Sequence, residues 1–154
     1  MSEVQRIQVQ LRRSIEGGAW HGPSLNDVLK GITPIQAVSR PIPEVHSVWE
    51  ILLHTIVWID VIRARLGGKP VRDLPQAKDW PPQPSKPSAK AWKAAQSKLA
   101  KAYKALSADI GTLNDDCLDR PILKGFSTTY KSLHGVVEHI LYHAGQIAIL
   151  KKSF

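Results

Sequence analysis

A chain of 154 residues with 43% hydrophobic and 22% charged content is sized for one globular domain with a substantial core. The start, MSEVQRIQVQLRR, has no apolar run before its basic pair, so no secretory signal is expected there. The longest apolar stretch, VWEILLHTIVWIDVI, is interrupted by Glu50, His54 and Asp60, which excludes a membrane span. The lone cysteine, Cys117, excludes an intrachain disulfide and fits a reducing compartment, so a cytoplasmic protein is expected. The formal charge of +8 comes partly from Lys86, Lys90, Lys93, Lys98, Lys101 and Lys104. With no nucleic-acid motif and no interleaved aromatics, these lysines read as the solvated face of a helix, and nucleic acid is not an expected partner.

The first helix is expected from Ser2 to Glu16, where Val4, Ile7, Leu11 and Ile15 keep the spacing of one buried face before Gly17-Gly18 stops it. Two short helices follow: Leu25 to Lys30 behind a Ser24 cap, and Pro34 to Val38 behind Thr33. The second long helix is expected from about His46 to Leu66, ending at Gly67-Gly68. The segment KPVRDLPQAKDWPPQPSKPS then carries six prolines, which excludes regular helix and favours an extended path. About 18 residues at about 3.1 Å each reach about 55 Å, against about 30 Å for a helix. The linker can therefore return the chain along the molecule and let the second and third long helices run parallel. The third is expected from Ser88 to Leu113 and the fourth from Thr129 to Lys151, with one short extended piece near Ile122 to Phe126. The fold class is all-α, a four-helix bundle.

Chemistry concentrates in histidines. On a helix, His139 and His143 lie about 40° apart on one face, where two imidazoles one turn apart can chelate one ion. His54 falls in the apolar stripe of Ile51, Val57, Trp58 and Val61, and a buried imidazole there needs a partner. Facing helices of a bundle bring such side chains together, so His54, His139 and His143 form a candidate three-nitrogen site with coordination positions left open. His46, Glu50 and His54 are also four apart, but His46 lies about 80° from His54, so the three do not suit one ion. Glu50 is expected to support the site or the fold, and His46 to sit near the helix start. His134 is a poor co-ligand, about 140° from His139. His21 is near enough in kind, but nothing in AWHGPS decides whether it reaches the site. Gln146 and Tyr142 are candidates for orienting ligands or for packing, Tyr142 for packing.

HSVWEILLHTIVWIDVIRARLGG together with LHGVVEHILYHAGQIAILKK resembles the DinB-like family of small bacterial helical proteins. The resemblance covers essentially the whole chain, and its most specific part is the C-terminal HxxYHAGQI run. It implies an up-down-down-up four-helix bundle, commonly a homodimer, with a divalent metal on three histidines that map onto His54, His139 and His143. It also implies a choice of chemistry, since characterised relatives include transferases using bacillithiol or mycothiol and a mycothiol-dependent maleylpyruvate isomerase.

The expected function is therefore a metal-dependent enzyme acting on a small-molecule substrate, with zinc or nickel as the ion and a low-molecular-weight thiol as a further cofactor. Thiol S-transfer is preferred to hydrolysis. A non-catalytic protein that binds a metal or ligand is the alternative. Five tryptophans, among them Trp20, Trp49, Trp80 and Trp92, are too many for one small core and leave apolar surface for a homodimer interface.

Overall fold

The computed structural model describes residues 1–154 and is all-helical. Seven α-helices occur in the order α1 (Glu3–Glu16), α2 (Leu25–Leu29), α3 (Pro34–Val38), α4 (Val48–Leu66), α5 (Gln76–Asp79), α6 (Ala89–Gly111) and α7 (Thr129–Lys151). Five of the starts are fixed by Ser or Thr in the chain just ahead of α1, α2, α3, α4 and α6, each accepting a hydrogen bond from a backbone N–H three residues on. Thr128 does the same for α7. At α4 the cap is Ser47, with Glu50 closing the reciprocal bond, so His46 stays outside the helix expected to begin with it. Gly17 ends α1 at φ 127°, a conformation that a side chain would resist.

One continuous cluster of 31 buried apolar residues draws on α1, α4, α6 and α7, so the four long helices share a single core. Ile7, Leu11, Ile51, Leu52, Leu106 and Ile147 are fully buried within it, each worth about 1.5–3 kcal/mol of transfer free energy. The central element is α4, which packs against α3, α5, α6 and α7. Of the six lysines read as a solvated face, all are exposed. Trp49 and Trp92 are in the core, Trp80 is half-buried and Trp20 is 99% exposed.

The proline-rich linker departs from expectation. It contains one helical turn, α5, in which Pro75 accepts from the backbone N–H of Lys78 and Asp79. Proline obstructs helix only at interior positions; here Pro75 precedes the turn and Pro81 follows it, and neither interrupts it. Gln83 ties the linker down, accepting from Ser47 Oγ at 2.5 Å and donating to the Val38 carbonyl at 3.0 Å. The piece near Ile122 to Phe126 is not a strand but a turn, closed by a single bridge between Pro121 and Thr128 and by Ile122 N–H to the Ser127 carbonyl. Gly125 at φ 79° supplies the left-handed residue of this turn, which Phe126 N–H closes onto the Leu123 carbonyl. Just before it, the Asp115 carboxylate crosses to α1 and accepts from the N–H groups of Glu3 and Val4, both at 2.9 Å.

Candidate metal centre

Helices α4 and α7 pack face to face, and their apolar stripes carry three imidazoles into one place. His54 and His143 are buried and His139 is half-buried. The Nε2 atom of His139 lies 3.1 Å from His54 Nε2 and 3.0 Å from His143 Nε2. Three ligand atoms from three residues thus converge, and the cluster could hold a metal ion.

The far side of each ring explains why it points inward. His54 Nδ1 donates to the Asp79 backbone carbonyl at 2.8 Å, with the Asp79 carboxylate 3.2 Å away. His143 Nδ1 donates to Gln146 Oε1 at 2.6 Å. A ring that donates from Nδ1 presents a lone pair at Nε2, which is the form that binds a metal. His139 has no such support, and its Nδ1 is buried without a partner.

Burial governs the charge on all three. It holds His139 far below the usual imidazole range, to about 3, with His143 and His54 adding to the effect. Desolvation also lowers His54, against the opposing bond to Asp79, and lowers His143 against that to Gln146. Near neutral pH the three rings are therefore uncharged.

A divalent cation fits this donor set. With two rings committed at Nδ1, three Nε2 atoms face one another and a single proton on His139 can bridge to one neighbour only. Tetrahedral coordination at about 2.0–2.1 Å places neighbouring nitrogens about 3.3 Å apart, close to the separations observed. Three imidazoles suit zinc, nickel and neighbouring divalent ions alike.

The other residues singled out from sequence fall elsewhere. Glu50 does not face the imidazoles: its carboxylate accepts from Arg40 at 2.6 and 2.8 Å and from Ser47 N–H, and lies 3.3 Å from His46 Nδ1. His46 stacks on Trp80, whose ring also stacks on His54, so it is one layer removed from the cluster. Gln146 orients His143. Tyr142, expected to pack, is instead 64% exposed and touches His143 only ring edge to ring face, because its direction on α7 is away from the core stripe. His21 is exposed and outside the cluster, and His134 packs against Tyr130.

Asp79 and Trp80 were not anticipated. They sit at the end of α5, and together they hold His54 by its edge and its face. Asp79 Oδ1 also accepts from Trp58 Nε1 at 2.8 Å. The available signal was an acid and a tryptophan enclosed by prolines, a rigid frame around two residues suited to hydrogen bonding and stacking.

Residues 19–147 match a family model described as the DinB superfamily. No curated protein matches the chain. Among solved structures, the fold is similar to that of a conserved protein from Enterococcus faecalis, with a TM-score of 0.72 and 18% identity over 99% of this chain and 97% of that one.

Proposed function

The chain belongs to the DinB superfamily, and on that footing we propose that His54, His139 and His143 bind one divalent ion, zinc or nickel, in a metal-dependent enzyme. The observation that carries the proposal is the meeting of three Nε2 atoms while two of the rings are fixed through Nδ1 to oxygen acceptors. Three protein ligands leave room for a further one, as catalytic sites do and closed structural sites do not. We read the reaction as thiol-dependent S-transfer, the activity that the family resemblance implies, on a small-molecule substrate. A bound ion there supplies Lewis acidity, which favours the thiolate form of a thiol near neutral pH.

The protein's own groups have separable roles in this reading. Asp79 and Gln146 hold two rings in the metal-binding tautomer. Trp80 fixes the plane of His54 and, with Trp58, limits water around it. Glu50 is engaged by Arg40 and is not the base.

The long crossover between α4 and α6 supports an up-down-down-up arrangement of the four long helices within a single domain. Cys117 forms no disulfide and no helix is long and apolar enough to cross a membrane, which supports a cytoplasmic setting. Exposed Trp20, Ile35, Tyr142 and Ile149 support a homodimer.

The test is the metal content of protein purified without added ions, then of zinc-reconstituted wild type and His143→Ala. One ion per chain is expected in wild type, and loss of stoichiometric binding in the variant. Equal metal content in both would end the assignment.

A further inference from the structure

A cavity of about 440 Å³ opens beside the imidazoles, with His54 and His139 in its wall. That is within the range of roughly 300–1,000 Å³ typical of small-molecule sites. Its wall changes character along its length. Trp58, Ile62 and Val136 make an apolar middle, and Arg65 and Lys131 add two cations. At about 1.5 Å per residue, about 16 Å of α4 separates His54 from Arg65, and about 12 Å of α7 separates Lys131 from His139. The Trp58 ring stands between, 5.8 Å from the Arg65 guanidinium carbon and 6.4 Å from the His54 ring centre, so the cations lie on the side of the cavity away from the three imidazoles.

Neither cation is neutralised by the protein; Lys131 is exposed at the cavity rim, and Arg65 is the half-buried one. The ion pairs of the chain include neither Arg65 nor Lys131. Arg65 gives its Nε–H to the Val71 carbonyl at 2.9 Å, and its guanidinium carbon lies 5.0 Å from the Phe126 ring centre and 5.8 Å from that of Trp58. Its terminal nitrogens have no protein acceptor, although burial and nearby Arg72 both disfavour its charge. The one acid in the cavity wall, Asp79, is engaged by Trp58 and His54. A half-buried guanidinium without a counter-ion is a ready partner for an oxyanion.

Gly135 is a second, independent sign. It occupies the interior of α7, where glycine costs about 1 kcal/mol relative to alanine. A Cβ at this position would meet nothing within 4 Å, and its backbone is not in the left-handed region. The same is true of Gly145 on this helix, so what distinguishes Gly135 is where it lies rather than its freedom from neighbours. Its place in the cavity wall gives a reason for glycine, because a side chain there would occupy ligand volume.

We infer that this cavity seats an elongated small molecule bearing a carboxylate or phosphate, with the oxyanion on Arg65 and Lys131 and the reacting end toward the imidazoles. The reacting end rests on the metal-dependent reading above; the oxyanion seat rests on Arg65, Lys131 and the space left at Gly135, and needs no metal.

The experiment is ¹⁵N NMR of the whole chain, metal-free and shown by circular dichroism to keep its helix content, titrated separately with inorganic phosphate and with succinate. The Trp58 indole N–H and Arg65 Nε–H are the reporters. Saturable shifts at both are expected with at least one anion, and the tighter of the two identifies the oxyanion class. The dissociation constant should rise at least tenfold in Arg65→Gln and in Gly135→Leu, and remain unchanged in Lys98→Ala on α6. Gly135→Leu keeps the test decisive if Arg65→Gln fails to fold. Absence of saturation with both anions, or wild-type affinity in Gly135→Leu, overturns the seat. Anion saturation in a protein that takes up no zinc upholds the seat and overturns the metal reading.

Discussion

The Trp80 indole lies parallel to the His54 imidazole, with ring centres 3.8 Å apart and planes 5° from parallel. Its neighbour Asp79 holds the same imidazole by the edge, through a backbone carbonyl. Two adjacent linker residues thus set both the plane and the tautomer of one candidate ligand. Trp80→Ala should lower zinc affinity by about 10- to 100-fold, the usual effect of losing support behind a metal ligand. Competition against a chelator measures it, with circular dichroism to confirm that helix content is kept. Unchanged affinity would assign the orientation to the Asp79 carbonyl alone.

Gln146 tests the same logic on α7. Gln146→Leu removes the acceptor for His143 Nδ1–H and should weaken zinc binding by about 10- to 100-fold. Gln146→Glu keeps an acceptor and should restore most of it. If Leu and Glu behave alike, the 2.6 Å bond has no part in metal affinity.

Glu50 separates the fold from the site. Its carboxylate is buried and held by Arg40, Ser47 and His46, and does not face the cluster. Glu50→Gln retains a helix-start acceptor but removes the charge facing Arg40. Because Arg40 is itself 44% exposed at the side chain, solvent screens the pair, and the expected loss is about 1–2 kcal/mol. A lower Tm with one zinc per chain is the expected pair of results. Lost zinc in a folded variant would return Glu50 to the site.

The Asp115 carboxylate supplies a pH-dependent tie between the loop after α6 and the start of α1. The N–H bonds from Val4 and Glu3 hold its pKa below the usual aspartate value of 3.8. A lowered folded-state pKa means stability that is complete above the unfolded value and is lost as pH falls through the folded one. Asp115→Asn should therefore be less stable than wild type at neutral pH, and the gap in Tm should narrow on acidification below about pH 4. A gap that is constant from pH 7 to pH 3 would contradict this.

Much of this architecture is visible in the amino-acid order. The Ser and Thr caps and the apolar periodicity bound α1, α2, α3 and α7 closely, because these are local signals between residues three or four apart. His54, His139 and His143 stand out because each interrupts an apolar stripe. Asp79 and Trp80 do not, since their meaning depends on where a proline-rich path lays them down. Pro75 and Pro81 read as helix breakers, yet they flank a turn that needs no interior N–H from either. Tyr142 differs: a direction about 60° from His139 and away from the apolar stripe reads as a packing position, and on α7 that direction faces solvent.

His54 and His139 are 85 positions apart, and the segment between them contains the linker, α6 and the Asp115 loop. An ion bound by both is a removable cross-link closing a very long loop. Because it is released when the chain unfolds, it stabilises the folded state by mass action, by about 2.7 kcal/mol when the free ion exceeds its dissociation constant a hundredfold. That is an appreciable share of the roughly 5–15 kcal/mol by which small proteins remain folded. Metal supply would then govern how long the molecule lasts as well as what it can react with, and depletion would expose it to unfolding and proteolysis.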